Sequence, residues 1–204
     1  MDTYDYSKIS DFEKSILPND FKGNVYNLSY KWETIIPCVD DPIKIMEIGA
    51  YHGANVCSYM KTYARHNNTE IHCVDPWFNY DGYNEYLTNQ SSNYSLFLGN
   101  ISKLSPNDIN KIYIHQGLSG DIVPTFKNES FDIIYIDGNH TKRYVLEDSI
   151  ICLNKIKKGG WIIFDDTHDT EVNEAVQSFL KINSQYFDEI KLQNSQLFIK
   201  RNMT

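Results

Sequence analysis

The chain has 204 residues, 41% of them hydrophobic and 23% charged, which suits one globular domain with a full core and excludes a disordered or fibrous chain. Its 19 Lys and Arg face 27 Asp and Glu, a net charge of −8 that argues against broad binding to nucleic acid or anionic lipid. No apolar run approaches the roughly 20 residues of a membrane helix. The acidic, aromatic start Met1-Asp2-Thr3-Tyr4-Asp5-Tyr6 is unlike a signal or transit peptide, and Cys38, Cys57, Cys73 and Cys152 lack CxxC spacing. A cytoplasmic protein with reduced thiols is expected, without membrane or nucleic-acid partners.

The first forty residues are polar and aromatic, with short helices expected around Asp11–Leu17 and Tyr30–Ile36. From Ile43 the pattern changes. Ile43–Ile48, Ile71–Val74, Ile112–His115, Phe131–Ile136 and Trp161–Phe164 are apolar on both faces, as buried parallel strands are. Helical spacing occupies Ala54–Ala64, much of Tyr83–Asn110, Asp121–Phe126 and Lys142–Ile156, with Lys157-Lys158-Gly159-Gly160 expected as a helix stop. An amphipathic helix follows at Glu171–Ile182, then a hairpin of Phe187–Gln193 and Gln196–Lys200 around Asn194-Ser195. Five β/α units and a closing hairpin predict one domain over 1–204. Its fold class is α/β, a three-layer α/β/α sandwich with a mostly parallel seven-stranded sheet ending in an antiparallel hairpin. Ligands in such sheets bind beyond the C-terminal strand ends, where strand order reverses.

The residues at those ends carry the chemistry. After the first strand, Glu47-Ile48-Gly49-Ala50-Tyr51-His52-Gly53-Ala54-Asn55 is a glycine turn into a helix, either a plain tight turn or one that lets a ligand approach the backbone. Its GxxxG spacing departs from the GxGxxG of dinucleotide enzymes and argues against an NAD-dependent oxidoreductase. Asp75 ends the second strand, where a carboxylate holds a ribose diol; the alternative is an N-cap before Pro76, and the preceding glycine turn favours the ribose. Gln116-Gly117-Leu118-Ser119-Gly120-Asp121 either lines a purine pocket or caps a helix through Ser119. The fourth and fifth strands end in Asp137-Gly138-Asn139-His140 and Asp165-Asp166-Thr167-His168. Three carboxylates brought together repel one another, and a hard divalent cation relieves that repulsion. The plainer alternative makes Asp137 and Asp166 turn and N-cap residues and His140 an exposed loop residue.

Lys44-Ile45-Met46-Glu47-Ile48-Gly49-Ala50-Tyr51-His52-Gly53 resembles the first motif of catechol O-methyltransferase and its class I S-adenosylmethionine-dependent relatives. Gly117-Leu118-Ser119-Gly120-Asp121-Ile122-Val123-Pro124 resembles the adenine-contacting segment of that family. Phe131-Asp132-Ile133-Ile134-Tyr135-Ile136-Asp137-Gly138-Asn139-His140, followed by Asp148, resembles a bacterial branch of sugar and antibiotic-tailoring O-methyltransferases with Asp-Gly-x-His after the fourth strand. The resemblance spans about Ile43 to Ile182 and implies a Rossmann-like methyltransferase fold. It implies S-adenosylmethionine bound by Glu47, Gly49, Tyr51, Gly53, Asn55, Asp75, Gly117, Ser119 and Asp137. It also implies Mg²⁺ or Mn²⁺ on Asp137, Asp165 and Asp166. His140 stands where catechol O-methyltransferase has its lysine base, and His168 is a second candidate catalyst.

The implied activity is metal-assisted O-methylation of a small-molecule, sugar or glycan-precursor hydroxyl, with a phenol or catechol as the alternative acceptor and a non-catalytic S-adenosylmethionine-binding scaffold as the alternative of another class. The aromatic segment from Pro76 to Tyr86, part of an acceptor-side insertion over 76–110, and Tyr26, Tyr30 and Trp32 of an N-terminal helical cap over 1–40 are expected to form an acceptor lid, or else a satellite core. A homodimer is compatible with all of this.

Overall fold

The computed structural model describes residues 9–204; the Met1–Tyr6 segment and the start of the expected cap lie outside the described residues. The apolar runs become β1 (Lys44–Ile48), β2 (Glu70–Asp75), β3 (Ile112–Gln116), β4 (Phe131–Ile136) and β5 (Ile156–Phe164), all parallel. The hairpin supplies β6 (Phe187–Gln193) and β7 (Gln196–Arg201), closed by Asn194 and Ser195 at φ 50° and 62°, the left-handed pair that a two-residue turn requires. The sheet order is β3-β2-β1-β4-β5-β7-β6. The sheet is the expected one, mostly parallel and seven-stranded. From β1 the chain steps outward to β2 and β3 and then returns to β4 on the other side. The crevice of the fold therefore lies at the C-terminal ends of β1 and β4.

Alternate strand residues feed two cores. Ile45, Ile71, Cys73, Ile133, Tyr135 and Ile163 face one side. Met46, Ile48, Val74, Ile134, Ile136 and Ile162 face the other, under α6 (Lys142–Lys155) and α7 (Thr170–Asn183). Asp169 caps α7 by accepting from the Glu171 and Val172 N–H groups. On the first side pack α1 (Asp11–Ile16), capped by a Ser10–Glu13 box, a 3₁₀ turn over Ser29–Thr34, α2 (Ala54–Tyr59) and α3 (Gln90–Ile101). The short helices α4 (Pro106–Ile109) and α5 (Ser119–Ile122) flank β3. No helix among the described residues is long and apolar enough to cross a membrane.

Three local expectations are corrected. The helix from Ala54 ends at Tyr59, and the chain continues through turns in which the Met60 and Ala64 N–H groups bond back to Cys57 and Tyr59. Lys157–Gly160 is strand, because Ile156 already pairs with Phe131 and a register shift in that pairing absorbs the glycines, Gly159 at φ +77°. Trp32 and Trp77 belong to the core rather than to a lid. Trp32 is fully buried against Tyr59, Tyr63, Tyr135 and Phe198, with its indole N–H on Gln196 Oε1 at 2.9 Å; Trp77 packs on Tyr94 and Phe97. Trp32→Ala is expected to cost about 3–5 kcal/mol of stability, measured as a shift in the urea midpoint; a midpoint within experimental error of the parent would place Trp32 outside the core.

Candidate functional site

A cavity of about 570 Å³ opens at the C-terminal ends of β1, β4 and β5. Gly49 and Tyr51 form one wall, Asp137, Gly138 and His140 the next, Asp165, Asp166 and His168 the third. Tyr26 and Asn27 from the N-terminal segment, Glu85, Tyr86 and Gln90 from the 76–110 segment, and the Asn194-Ser195 turn complete it. Both segments expected to cover the acceptor thus reach the cavity, through tyrosines and amides and not through their tryptophans. Gly49 has φ +88°, and a Cβ there would land on the Asp137 carbonyl oxygen. The absence of a side chain is what lets the ends of β1 and β4 approach this closely.

The remaining expected cofactor residues occupy several depths. Glu47 is buried, takes a hydrogen bond from Tyr59, and has Oε2 without a partner. Burial, and then Asp137, pushes its carboxyl well above the usual range. Asp75 is also buried; its oxygens accept the Tyr51 N–H at 2.9 Å and the Trp77 N–H at 3.0 Å, which ties the glycine turn to the end of β2. Ser119 lines a second, narrow cavity with Val74, Pro76, Leu118 and Asp148, adjoining the first at Gly49, Gly138 and Tyr86. Gly117 donates its N–H to the Asp75 carbonyl. Gly53 and Asn55 stand behind the turn: Gly53 abuts Phe97, and Asn55 accepts the Ser29 N–H and donates to Tyr59, bracing α2.

At the ends of β4 and β5, the structure groups Asp137, His140 and Asp166, whose donor atoms lie within 4.8 Å of one another. His140 Nε2 is 3.8 Å from Asp137 Oδ1 and 3.5 Å from Asp166 Oδ2, and its Nδ1 is 3.4 Å from the Tyr83 hydroxyl. Asp166 sits at φ 48°, an uncommon conformation for a residue with a Cβ, and this turns its carboxylate towards His140. Asp165 points the other way. It accepts the Tyr135 hydroxyl at 2.6 Å and the Asn27 amide at 2.8 Å, so protein donors already occupy both of its oxygens. His168 is largely exposed, 3.7 Å from Asp166 Oδ1.

The electrostatics follow from crowding carboxylates out of water. Burial and then Asp165 raise Asp137 to about 8; burial alone would lower His140, but Asp137 and Asp166 hold its proton and carry it to about 9. Without a ligand, a protonated imidazole offsets part of the negative charge of the cluster. The carboxylates of Asp137 and Asp166 offer a divalent cation oxygen donors, with His140 beside them.

Each of these groups has a folded-state pKa above its unfolded value (3.8 for Asp, 6.5 for His), as does Asp148, which burial raises to about 7. Their stabilisation is therefore present below the unfolded pKa and lost as the pH rises through the folded one. The buried His52 and His72 and the half-buried His115, all lowered by desolvation, act only below about pH 6.5. The ligand-free protein is expected to melt at progressively lower temperature from pH 7 to pH 9. A melting temperature that rises over that range would contradict the assigned shifts.

Composition and spacing did not single out Gln90, Asn27 or Tyr135. A glutamine at a helix start and an asparagine in a loop carry no signal of their own. Gln90 is buried, gives its amide N–H to the Glu85 carbonyl at 2.8 Å, and leaves Oε1 unpartnered beside the cavity. Among the described residues the buried side-chain atoms without a partner are Glu47 Oε2, Gln90 Oε1 and Asp148 Oδ1. Gln90 lines the main cavity and Asp148 the narrow one, while Glu47 is buried in β1, one of the strands whose end forms the crevice. A ligand bearing amino and hydroxyl donors, as S-adenosylmethionine does, complements them.

Comparison with known proteins gives a family and a fold. A family model described as a methyltransferase domain matches residues 46–167, from β1 to just beyond β5. The uncharacterized protein R132 of Acanthamoeba polyphaga mimivirus is 26% identical over 129 residues, 63% of this chain and 53% of the relative, so the chain spans about half the length of that protein. Among solved structures, the O-methyltransferase NovP superimposes with a TM-score of 0.56 at 13% identity, over 79% of this chain and 72% of NovP. The MycE methyltransferase of the mycinamycin biosynthetic pathway, in complex with Mg, SAH and mycinamycin VI, superimposes with a TM-score of 0.53 at 13% identity, over 79% of this chain and 45% of MycE. At such identities the likeness is one of fold.

Proposed function

The chain belongs to the methyltransferase-domain family, and from that premise we propose that it is an S-adenosylmethionine-dependent O-methyltransferase acting on a hydroxyl of a small molecule, a sugar or glycan precursor ahead of a phenol. The observation that carries the reading is the placement of Asp137, His140 and Asp166 in one cavity with the Gly49 turn. That juxtaposition is what aligning a methyl donor with an acceptor oxygen needs.

The cofactor, when bound, supplies an electrophilic methyl group on a sulfonium. Gly49 and Tyr51 would receive its methionine part, Glu47 and Gln90 offering acceptors to the ammonium and nearby hydroxyls. Asp75, fixed by two backbone N–H groups, would take the ribose, and Ser119 would stand at the base. The carboxylates of the cavity favour a cation there over a neutral nucleoside. Asp137 and Asp166 would hold a divalent cation, which when bound supplies Lewis acidity and a fixed charge beside the acceptor. With a cation to offset the carboxylates, His140 would no longer have to hold its own proton, and its Nε2 would accept the proton of the acceptor hydroxyl during methyl transfer. Asp165, held by Tyr135 and Asn27, positions the end of β5 and links it to the N-terminal segment. Tyr26, Tyr86, Asn194 and Ser195 would face the acceptor, and tyrosine rings beside amides suit a polyhydroxylated ring. MycE, solved with Mg, SAH and mycinamycin VI, supports the metal and the small-molecule acceptor as expectations.

The test is transfer of labelled methyl from S-adenosylmethionine to a panel of sugar and phenol acceptors, with and without EDTA. Turnover of a sugar hydroxyl that EDTA abolishes is the expected result. Undiminished turnover in EDTA would remove the metal from the reading, and methylation confined to phenols would replace the acceptor.

A further inference from the structure

On one side the sheet ends in β6, whose far edge pairs with no other strand. The two-residue turn makes Gln193 and Gln196 the hydrogen-bonded pair that closes the hairpin, and the ladder alternates from there. Leu192 and Ile190, opposite Leu197 and Ile199, are therefore non-hydrogen-bonded positions, and their N–H and C=O groups point away from β7. No loop hydrogen-bonds to them among the described residues. Their side chains lie on the α7 face of the sheet with Leu197 and Ile199, yet Ile190 is 50% and Leu192 69% exposed. Such an edge is a template for another strand.

The other face of β6 decides which strand fits. It carries Glu189 and Lys191, with Lys191 Nζ 2.7 Å from Glu189 Oε2 and Lys200 Nζ 3.2 Å from Glu189 Oε1. Edge lysines usually keep sheets apart, but here each charge has its opposite two residues away. For two copies of β6 to pair antiparallel, outward backbone groups must meet outward ones. A two-fold axis through Glu189 or Lys191 sets like charges face to face, and one through Leu192 runs onto the Asn194-Ser195 turn. An axis through Ile190 sets each Glu189 against Lys191 of the other copy, at the non-hydrogen-bonded positions where cross-strand side chains come closest.

We infer that the chain forms a two-fold dimer by antiparallel pairing of β6 with β6 of a second copy, on an axis through Ile190. The two sheets become one. Ile190 exchanges both backbone hydrogen bonds with its own copy, and Ile190 and Leu192 of both copies form one apolar stripe on the α7 face.

Sedimentation velocity of the full chain, which needs neither cofactor nor acceptor, tests this. The parent is expected to be mostly dimeric at about 100 µM, with a Kd in the micromolar range. Glu189→Lys sets Lys against Lys across the axis, and Lys191→Glu sets Glu against Glu. Each variant alone is expected to dimerise about 10-fold more weakly, because two cross-strand pairs change from opposite to like charge. Mixed in equal amounts they restore opposite charges, and a heterodimer of near-parental affinity is expected; melting curves check the fold of each. A parent that stays monomeric would overturn the inference whatever the variants do. Variants that each dimerise like the parent would place the contact on another face, and a mixture no tighter than its components would refute the register. Amide exchange in the parent needs no variant: the Ile190 N–H is expected to exchange more slowly as dimer forms, and exchange independent of concentration would contradict the pairing.

Discussion

His140→Gln is expected to lower kcat by about 10²–10⁴, the usual contribution of a positioned general base, while S-adenosylhomocysteine affinity stays close to the parental value. The imidazole Nε2 faces both Asp137 and Asp166 across less than 4 Å, and the ring is half-buried at the cavity wall. A glutamine keeps polar contact with Asp137 but cannot take a proton. Because a base must be neutral to act, the parental kcat should rise with pH until His140 is deprotonated, and that limb should vanish in the variant. The more exposed His168 is the internal control, since its ring contacts only Asp166 among the cluster carboxylates. If His168→Gln loses the limb and His140→Gln keeps it, the two roles are exchanged.

The second large effect is expected at Asp166. Asparagine is one of the few residues that tolerates a left-handed backbone, so Asp166→Asn should preserve the φ 48° turn while removing the charge. With one of the two carboxylates of the donor set neutralised, Mn²⁺ titrated into the protein should bind measurably more weakly, and kcat should fall by about 10²–10³, as when one charge-stabilising group is deleted from an enclosed site. Asp165→Asn should act differently: its oxygens serve Tyr135 and Asn27, so its first consequence is a lower melting temperature. Equal Mn²⁺ affinity in the parent and in Asp166→Asn would remove Asp166 from the donor set.

These two neighbours illustrate what the amino-acid sequence reveals of this site and what it leaves open. The strands were legible because Ile45, Ile71, Ile133 and Ile163 and their neighbours are apolar on both faces, and a parallel sheet between two layers demands that pattern. The crevice followed from strand order, and with it the gathering of Asp137, Asp166 and His140. Which of Asp165 and Asp166 turns towards Asp137 and His140 did not follow, because it depends on a single left-handed residue and on an asparagine 138 positions away. Trp32 looked like part of a lid because residues 1–40 are aromatic and polar together. It proved to be core because this segment itself covers one face of the sheet, where its indole reaches Gln196 on β7. Gln90 and the inward oxygen of Asp148 became visible only as unpartnered buried atoms, a property of packing that spacing does not carry.

The most direct test of the crevice as a methyltransferase site is calorimetric titration of the ligand-free protein with S-adenosylhomocysteine and, separately, with NADH. One S-adenosylhomocysteine is expected to bind per chain with a Kd in the micromolar range, with no heat from NADH. Binding of NADH, or no binding of S-adenosylhomocysteine by protein whose melting curve shows it folded, would contradict the assignment.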